Sequence, residues 1–131
     1  QERPPKFTCL YAVELPDSGG GTSVCNMRAA YEALPQKMQS RLGQMETANT
    51  LISSARFKIA NPDILAAQKA STEPPMAHPL IRTHPDNGTK AIWFHKSKTE
   101  TVSGLNRQEK QDFLESLLQS AIKPEFIYLH E

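Results

Sequence analysis

The sequence predicts a mixed α/β fold, and three observations indicate it. Segments rich in aromatic and aliphatic residues lie near both ends, at residues 7–14 (FTCLYAVE) and 125–129 (EFIYL), and are typical of strands. Between them, apolar residues recur at three- and four-residue spacing behind helix-capping residues. Ten prolines in 131 residues favour loops and sheet edges over a helical bundle. Neither terminal strand has an obvious partner, so we expect non-local pairing and a sheet that is partly outside this sequence.

The first third of the chain is predicted to form a strand, a tight loop and two helices. The strand covers residues 7–14, and the loop covers residues 17–22 with its three consecutive glycines. Asn26 is a suitable N-cap for a helix in MRAAYEAL. Pro35 suits the first turn of a second helix, PQKMQSRLGQM. The apolar stripe of that second helix consists of Met38, Leu42 and Met45.

The central region, residues 46–77, has weak patterning and is predicted to be largely a loop. A short helix is expected near PDILAAQKA, whereas STEPPMAHP is too rich in proline for a regular helix. Long loops in compact domains often serve as lids or binding segments. We therefore expect residues 46–77 to include a lid or a binding segment.

The last third is predicted to contain a hairpin, a long helix and a final strand. The hairpin has an extended arm from Pro79, a turn at residues 86–88 (Asp-Asn-Gly) and the strand KAIWF. Asn106 and Glu109 form a capping-box pattern before the helix, and Pro124 ends it. The predicted buried face of that helix comprises Phe113, Leu114, Leu117, Leu118 and Ala121.

Composition and charge exclude several classes of function. A net charge of +1 provides no basic excess for nucleic-acid binding. No apolar run approaches membrane-spanning length, so no membrane partner is expected. Without a secretory signal, Cys9 and Cys25 are expected to be free thiols in the cytoplasm rather than a disulfide. Neither cysteine has an activating partner in the pattern, which argues against a nucleophile.

The triplet His84-Pro85-Asp86 is a candidate for metal binding. H-x-D supplies two ligands in the two-histidine, one-carboxylate sites of non-haem iron enzymes, and His78, His95 or His130 would have to add a third. The alternative is that Asp86 only stabilises the Pro-Asp-Asn-Gly turn, as aspartates in turns commonly do. The turn is the favoured interpretation, because no spacing selects a third ligand.

The stretch DSGGGTSVC, residues 17–25, raises two interpretations of its own. It is either a tight connection between a strand and a helix, or a backbone that lets a small anion approach the Thr22 hydroxyl. The pattern lacks both the dinucleotide fingerprint and the P-loop lysine. Four other cations are more easily explained as solvated side chains than as anion ligands: Arg82 and Lys90, which flank the predicted hairpin turn, and Lys96 and Lys98 in the stretch after it.

Three stretches, taken together and in order, resemble the TauD/TfdA family of Fe(II)- and 2-oxoglutarate-dependent dioxygenases. RPPKFTCLYAVELPDSGGGTSVCNMRAAYEALP is similar to that family's segment with E-[LV]-P, G-G-x-T and a following helix. HPLIRTHPDNGTKAIWF resembles its H-P-[VL]-x-R-T-H-P hairpin, and KPEFIYLHE resembles its P-E-F-x-Y-R-H-R-W strand. The family usually has Asp where this chain has Gly21.

The resemblance implies part of a double-stranded β-helix, or jelly roll, with inserted helices. It also implies Fe(II) and 2-oxoglutarate as cofactors, a small organic substrate, and Thr22 as a ligand of the 2-oxoglutarate carboxylate. By the family's order, residues 1–131 form one partial domain that lacks the iron-binding H-x-D before it and the distal histidine and arginine after it. No metal ligand and no catalytic residue is therefore assigned in this chain, and His84 and Asp86 fall in the hairpin turn.

Three hypotheses follow for the function. The first is a fragment of a TauD/TfdA-like dioxygenase that decarboxylates 2-oxoglutarate to succinate while oxidising a small molecule, with residues 46–77 and 95–103 helping to shape the substrate pocket. The second is an inactive, truncated homologue that acts as a binding domain or forms a homo-oligomer through unpaired sheet edges. The third is a metal enzyme built on His84, Asp86 and a further histidine.

Overall fold

The computed structural model of the chain describes residues 7–14, 16–49 and 76–130. Short strands and three helices alternate along these residues. In chain order they are β1 (Thr22–Cys25), α1 (Met27–Glu32), α2 (Gln36–Leu42), β2 (Glu46–Asn49), β3 (Met76–Pro79), β4 (Ile81–Thr83), β5 (Lys90–Ile92), β6 (Thr99–Val102), α3 (Arg107–Ala121), a 3₁₀ turn (Pro124–Phe126) and β7 (Ile127–His130). The predicted mixed α/β class is thus confirmed.

The strands form small antiparallel sheets whose partners are mostly distant in sequence. β1 pairs with β7, β2 lies between β3 and β6, and β4 pairs with β5. The β4–β5 pair is the predicted hairpin, and its turn is closed by the His84 amide donating to the Thr89 carbonyl at 2.7 Å. The Trp93 amide donates to the Leu80 carbonyl at 2.7 Å, which ties the hairpin to the end of β3.

One apolar core holds the helices against these sheets. α1 packs against β5 and contacts α3, and α3 contacts β6. Four of the five residues of the predicted face of α3 are confirmed: Leu114, Leu117 and Ala121 are buried, and Phe113 packs against the core, whereas Leu118 is only partly buried. Burying such side chains is the dominant stabilising term for a domain of this size. The other buried apolar residues are Ala30, Tyr31, Leu42, Met45, Leu80, Ile81, Ile92 and Val102.

Both predicted helix caps are present. The Asn26 Oδ1 atom accepts a hydrogen bond from the Ala29 amide at 3.1 Å at the start of α1. At the start of α3, Asn106 Oδ1 accepts from the Glu109 amide at 3.0 Å, and Glu109 Oε2 accepts from the Asn106 amide at 2.8 Å. Pro35 is the N-cap of α2, one position before the first turn, and the helix ends at Leu42 rather than Met45.

The predicted strand over residues 7–14 is wrong. Its described residues are irregular, and Phe7, Leu10, Tyr11 and Val13 are 77–91% exposed. A strand requires a partner for its backbone N–H and C=O groups, and within the described ranges no strand pairs with this segment.

The C-terminal strand, in contrast, has a partner inside this sequence. β7 pairs with β1, a strand of four residues that the sequence pattern did not reveal. The expectation of an unpartnered strand at that end is therefore wrong. The strand begins at Ile127 rather than residue 125, because Pro124–Phe126 forms a 3₁₀ turn.

The region predicted as a loop, residues 46–77, contains strand residues at both ends. β2 and β3 pair with each other, and β2 also pairs with β6. Residues of weak local patterning become strands here because neighbouring strands satisfy their backbone. The helix expected near residues 62–70 lies outside the described residues. Within the described ranges, no helix has the length and apolar character needed to cross a membrane.

Candidate functional site

The glycine loop before β1 has backbone angles that require glycine. Gly19 and Gly20 have φ values of 78° and 81°, in the left-handed region that other L-residues avoid. A Cβ atom on Gly20 would also lie 3.0 Å from the Pro16 Cγ atom. The loop therefore turns tightly at these two positions and places Thr22 at the first position of β1.

Thr22 lies on one face of the β1–β7 ribbon, the name used here for residues 22–25 paired with residues 127–130. Thr22 is directly opposite His130, and Val24 is directly opposite Tyr128. Alternate residues of a strand share a face, and opposed residues of an antiparallel pair lie on the same side. We call the face that carries these four exposed side chains the Thr22 face.

The other face of the ribbon is directed toward the body of the protein. The Cys25 thiol, which shares that face with the opposed residue Ile127, donates to the Ala121 carbonyl at 3.2 Å at the end of α3. Both Cys25 and Ile127 are partly buried. The Asn26 amide also donates to the Phe126 carbonyl at 2.7 Å, which closes the ribbon at its inner end. The Thr22 face consequently points away from α3.

The His84 and Asp86 pair forms part of the hairpin turn. The Asp86 amide donates to His84 Nδ1 at 3.2 Å, and Asn87 Oδ1 accepts from the Thr89 amide at 3.0 Å and the Thr89 hydroxyl at 2.8 Å. These bonds are the local contacts that turn residues commonly make. In the part of the chain that the structure describes, no three His, Cys, Asp or Glu residues are grouped so as to hold a metal ion. These contacts support the turn interpretation. Among the described residues, the hypothesis of a metal enzyme built on His84 and Asp86 has no group of ligands to support it.

His78, one of the candidate third ligands, packs against an aromatic ring. His78 is buried on β3, where its ring meets the edge of Trp93 at a centroid distance of 5.0 Å. Arg82 also lies over the Trp93 ring, with its guanidinium carbon 5.1 Å from the ring centroid. In such cation–π contacts, the positive charge is attracted to the face of the aromatic ring. Arg82 is therefore part of a tertiary stack rather than a freely solvated side chain.

A groove of about 1380 Å³ lies between α3 and the connection from β5 to β6. Its apolar floor includes Phe94, Leu114 and Leu118, and its rim is polar. Two lysines on it are engaged with protein groups. Lys96 pairs with Glu115, and Lys110 donates to the carbonyls of Thr99 and Glu100 at 3.2 and 2.9 Å. Lys96 therefore has a protein partner, which weighs against its use as a substrate ligand.

The pKa of Glu115 at the groove rim is lowered by its neighbours Lys96 and Gln119. The hydrogen bond from Lys96 is the largest cause that lowers the pKa of the Glu115 carboxyl, followed by the hydrogen bond from Gln119 and the charge of Lys96. The carboxylate of Glu115 is thereby favoured in its charged form. This pair joins the β5–β6 connection to α3 and leaves the groove without a strong net charge from these two groups.

Sequence reasoning missed a polar network beside the groove. The Thr99 hydroxyl donates to Asn49 Oδ1 at 2.7 Å, and the Asn49 side-chain amide donates to Thr47 Oγ1 at 3.0 Å. Thr47 and Thr99 are both buried. The network joins β2 and β6 at the point where the register of this strand pair shifts. Its side-chain hydrogen bonds therefore help to hold the two strands in register where the backbone pairing is irregular.

The family-model match covers the whole chain. Residues 1–131 match the model described as taurine catabolism dioxygenase TauD, TfdA family. The chain belongs to the TauD/TfdA family. The resemblance noted from the three motifs is thereby confirmed. Members of this family are named as α-ketoglutarate-dependent dioxygenases.

Curated relatives of this TauD/TfdA chain are considerably longer than it is. The α-ketoglutarate-dependent 2,4-dichlorophenoxyacetate dioxygenase of Cupriavidus pinatubonensis is 38% identical over 130 residues, which cover 99% of this chain and 44% of the relative. The enzyme of the same name from a Burkholderia species is 33% identical, over 99% of this chain and 43% of the relative. The chain thus spans less than half the length of these relatives.

Solved structures of the family agree with the fold. A crystal structure of AAD-2 in complex with Mn(II) and N-oxalylglycine has a TM-score of 0.74 and 26% identity, covering 90% of this chain and 46% of that one. A putative α-ketoglutarate-dependent 2,4-D dioxygenase from Burkholderia xenovorans has a TM-score of 0.70 and 30% identity, covering 90% of this chain and 45% of that one. The antiparallel sheets and helices of this chain therefore have the arrangement of part of a TauD/TfdA enzyme.

Proposed function

We propose that this chain forms the cosubstrate-facing part of an Fe(II)- and 2-oxoglutarate-dependent dioxygenase. The enzyme would oxidise a small organic substrate while decarboxylating 2-oxoglutarate to succinate. The observation that carries the proposal is the position of Thr22. Thr22 is exposed on a sheet face directly after the glycine turn, and glycines allow a ligand to approach the backbone closely. A hydroxyl in this position can donate a hydrogen bond to a carboxylate.

The described residues do not fit Fe(II). A facial triad requires two histidines and one carboxylate in mutual reach, and the described ranges contain no group of three such residues. The iron ligands of the proposed enzyme therefore lie outside the described residues, and no iron-dependent step is assigned to the residues described. The proposed contribution of this chain is to bind and orient 2-oxoglutarate and to shape part of the substrate pocket within a jelly-roll domain.

The names of relatives suggest which compounds to test first. Two of them are named for 2,4-dichlorophenoxyacetate and another for (S)-phenoxypropionate. These compounds are small aryloxy acids, so anionic aryloxy acids are the first substrate class to try. The cytoplasmic location and the partial-domain organisation over residues 1–131 remain predictions.

The test uses the protein that carries residues 1–131, and its intact mass is compared first with 14.6 kDa. Succinate formation is then measured with Fe(II), oxygen and 2-oxoglutarate. We expect Thr22→Val to raise the KM for 2-oxoglutarate by about 10-fold or more, as the loss of a hydrogen bond to a charged group would do. Ser23→Ala is the matched control, because Ser23 lies on the other face of the same strand. Absence of 2-oxoglutarate consumption and binding would refute the proposal.

A second function is favoured by one specific observation. Val24, Tyr128 and Leu129 on the β1–β7 ribbon are 50–66% exposed, which leaves apolar surface for another chain to cover. The alternative is an inactive homologue that self-associates through this ribbon. Sedimentation at several concentrations tests it: a homodimer that is lost in Val24→Lys would support self-association, and a monomer throughout would exclude it.

A further inference from the structure

We propose that Asn87, in the turn of the β4–β5 hairpin, is a site of spontaneous deamidation through a succinimide, promoted by Thr89. Water is the co-reactant, and the product is aspartate or isoaspartate at position 87. The inference comes from the contacts that Thr89 makes with the side-chain carbonyl of Asn87 and from the glycine that follows it. It does not depend on the proposed function.

The reaction at Asn87 balances without an oxidant or a reductant. Hydroxide removes the amide proton of Gly88, and the Gly88 nitrogen forms a bond to Asn87 Cγ. The bond from Cγ to the side-chain nitrogen then breaks, and ammonia leaves with a proton from water, which restores the hydroxide. Water finally opens one of the two ring bonds to the Gly88 nitrogen, giving aspartate from one and isoaspartate from the other.

Thr89 places two hydrogen-bond donors on the atom where negative charge develops. Its amide and its hydroxyl donate to Asn87 Oδ1 at 3.0 and 2.8 Å. This oxygen becomes an oxyanion when the Gly88 nitrogen attacks Cγ, and donors already aimed at such an oxygen lower the barrier. The bond from the Thr89 amide also closes a ring that contains Cγ and the Gly88 nitrogen, so the reacting atoms are held in one tight turn.

Gly88 leaves the attacking nitrogen accessible. Its φ is 71°, and a Cβ atom on it would meet no described residue within 4 Å apart from its neighbours in the chain. Both Asn87 and Gly88 are exposed, so hydroxide and water can reach them.

One contact of the turn opposes the reaction. The Gly88 amide donates to the His84 carbonyl at 2.9 Å, and this bond must open before the nitrogen loses its proton. Opening one such exposed bond slows the step about 2- to 10-fold. The two bonds from Thr89 strengthen as their acceptor becomes charged, so together they outweigh the single opposing bond.

The other asparagines of the described ranges lack this combination. Asn26, Asn49 and Asn106 are each followed by a residue with a side chain, which crowds the nitrogen that would attack. Asn26 and Asn106 are also N-caps of helices. These three asparagines therefore serve as internal controls.

Modification would alter the hairpin. Either product adds a negative charge beside Asp86, and isoaspartate also adds a carbon to the backbone of the turn. The turn is closed by the bond from the His84 amide to the Thr89 carbonyl, and β5 packs against α1. Isoaspartate at position 87 is therefore expected to loosen the packing of β5 as the protein ages.

The test incubates the protein at neutral and mildly alkaline pH and maps its peptides by mass spectrometry, with isoaspartate measured by enzymatic methylation. We expect Asn87 to exchange NH for O faster than the other described asparagines, faster at higher pH, and with isoaspartate among the products. Thr89→Val should slow the native protein about 2- to 10-fold but leave the urea-unfolded chain unchanged. Thr83→Val, on the adjacent strand, is the matched control.

A second variant and a check of folding keep the outcome clear. Gly88→Asn should also slow the reaction, because asparagine tolerates a positive φ but crowds the nitrogen, and circular dichroism verifies that each variant is folded. An Asn87 that stays intact in the native protein would overturn the inference. Aspartate without isoaspartate would overturn the succinimide route. A folded Thr89→Val protein that reacts as fast as the wild type would overturn the role of Thr89.

Discussion

The apolar core and the β1–β7 ribbon differ in how completely their side chains are packed. In the core, Leu42, Leu80 and Ala121 are fully buried among helices and sheets of this same chain. On the ribbon, Val24 and Tyr128 are directly opposed in register, yet they are 55% and 66% exposed. The core is therefore stabilised within the described residues, whereas the Thr22 face presents its side chains outward. Binding residues commonly lie on such exposed segments that a rigid body positions.

The largest difference between the two regions is expected from truncating a leucine in each. Leu80→Ala removes a side chain from a fully buried position and should lower the free energy of unfolding by about 2–5 kcal/mol. Leu129→Ala on the half-exposed ribbon should change it by less than about 1 kcal/mol. Urea denaturation followed by circular dichroism measures both. A loss at Leu129 as large as that at Leu80 would show that the ribbon is as tightly packed as the core.

Removal of one buried hydroxyl should have the next largest effect. Thr99→Val keeps the side-chain shape but removes the bond to Asn49 and the one that Thr99 Oγ1 accepts from the His95 amide at 3.2 Å. We expect a loss of about 1–3 kcal/mol, because both hydrogen bonds are partly buried and Asn49 and the His95 amide would each lose this partner. Thr101→Val, on an exposed position of the same strand, is the control. Equal effects of the two variants would mean that the network does not stabilise β6.

The capping box of α3 should have a smaller effect. Asn106→Ala removes the acceptor for the Gln108 and Glu109 amides and should cost about 0.5–2 kcal/mol. Gln111→Ala, in the exposed part of the same helix, should change stability by less than about 0.5 kcal/mol. Thermal and urea unfolding compare the two. An Asn106→Ala protein as stable as the wild type would contradict the importance of this cap.

The smallest effect on stability is expected from breaking the Lys96–Glu115 pair at the groove rim, and this effect depends on pH. Since the pKa of Glu115 is lowered in the folded protein, its contribution to stability is present above the ordinary carboxyl pKa. That contribution is lost as pH falls through the lowered value. Lys96→Met should raise the pKa of Glu115 toward its ordinary range, as measured by NMR titration of the side-chain carboxyl. Lys98→Met is the matched control, and an equal rise there would argue against a specific Lys96 contact.

Local signals predicted the parts of the fold that depend on neighbouring residues. The Asn26 and Asn106 caps, the turn at residues 86–88 and most of the apolar stripe of α3 are confirmed, because each is determined within a few residues. The prediction of a strand at residues 7–14 was wrong because a strand also depends on a partner elsewhere in the molecule. The composition of this segment favours a strand, but composition does not supply a partner.

The candidate site was predictable only in part. Thr22 was found from a motif, and its role as a carboxylate ligand stays a prediction. His130 was noted in the sequence only as a residue for a metal site, and no local signal linked it to Thr22. Only the β1–β7 register places them together, just as the β2–β6 pairing brings Asn49 to Thr99. A sequence search for threonine–histidine pairs would not find this one, because more than 100 residues separate them.

The sequence by itself determined the family, the helix boundaries near their caps and the glycine turn that precedes Thr22. These features depend on contiguous residues, whose backbone preferences and side-chain bonds operate over one or two turns of chain. The tertiary structure alone decided which strands pair, which face of the ribbon carries Thr22 and His130, and which lysines are engaged by protein groups. Pairing of distant strands depends on register and burial across the whole molecule, and a shift of one residue would move His130 to the opposite face.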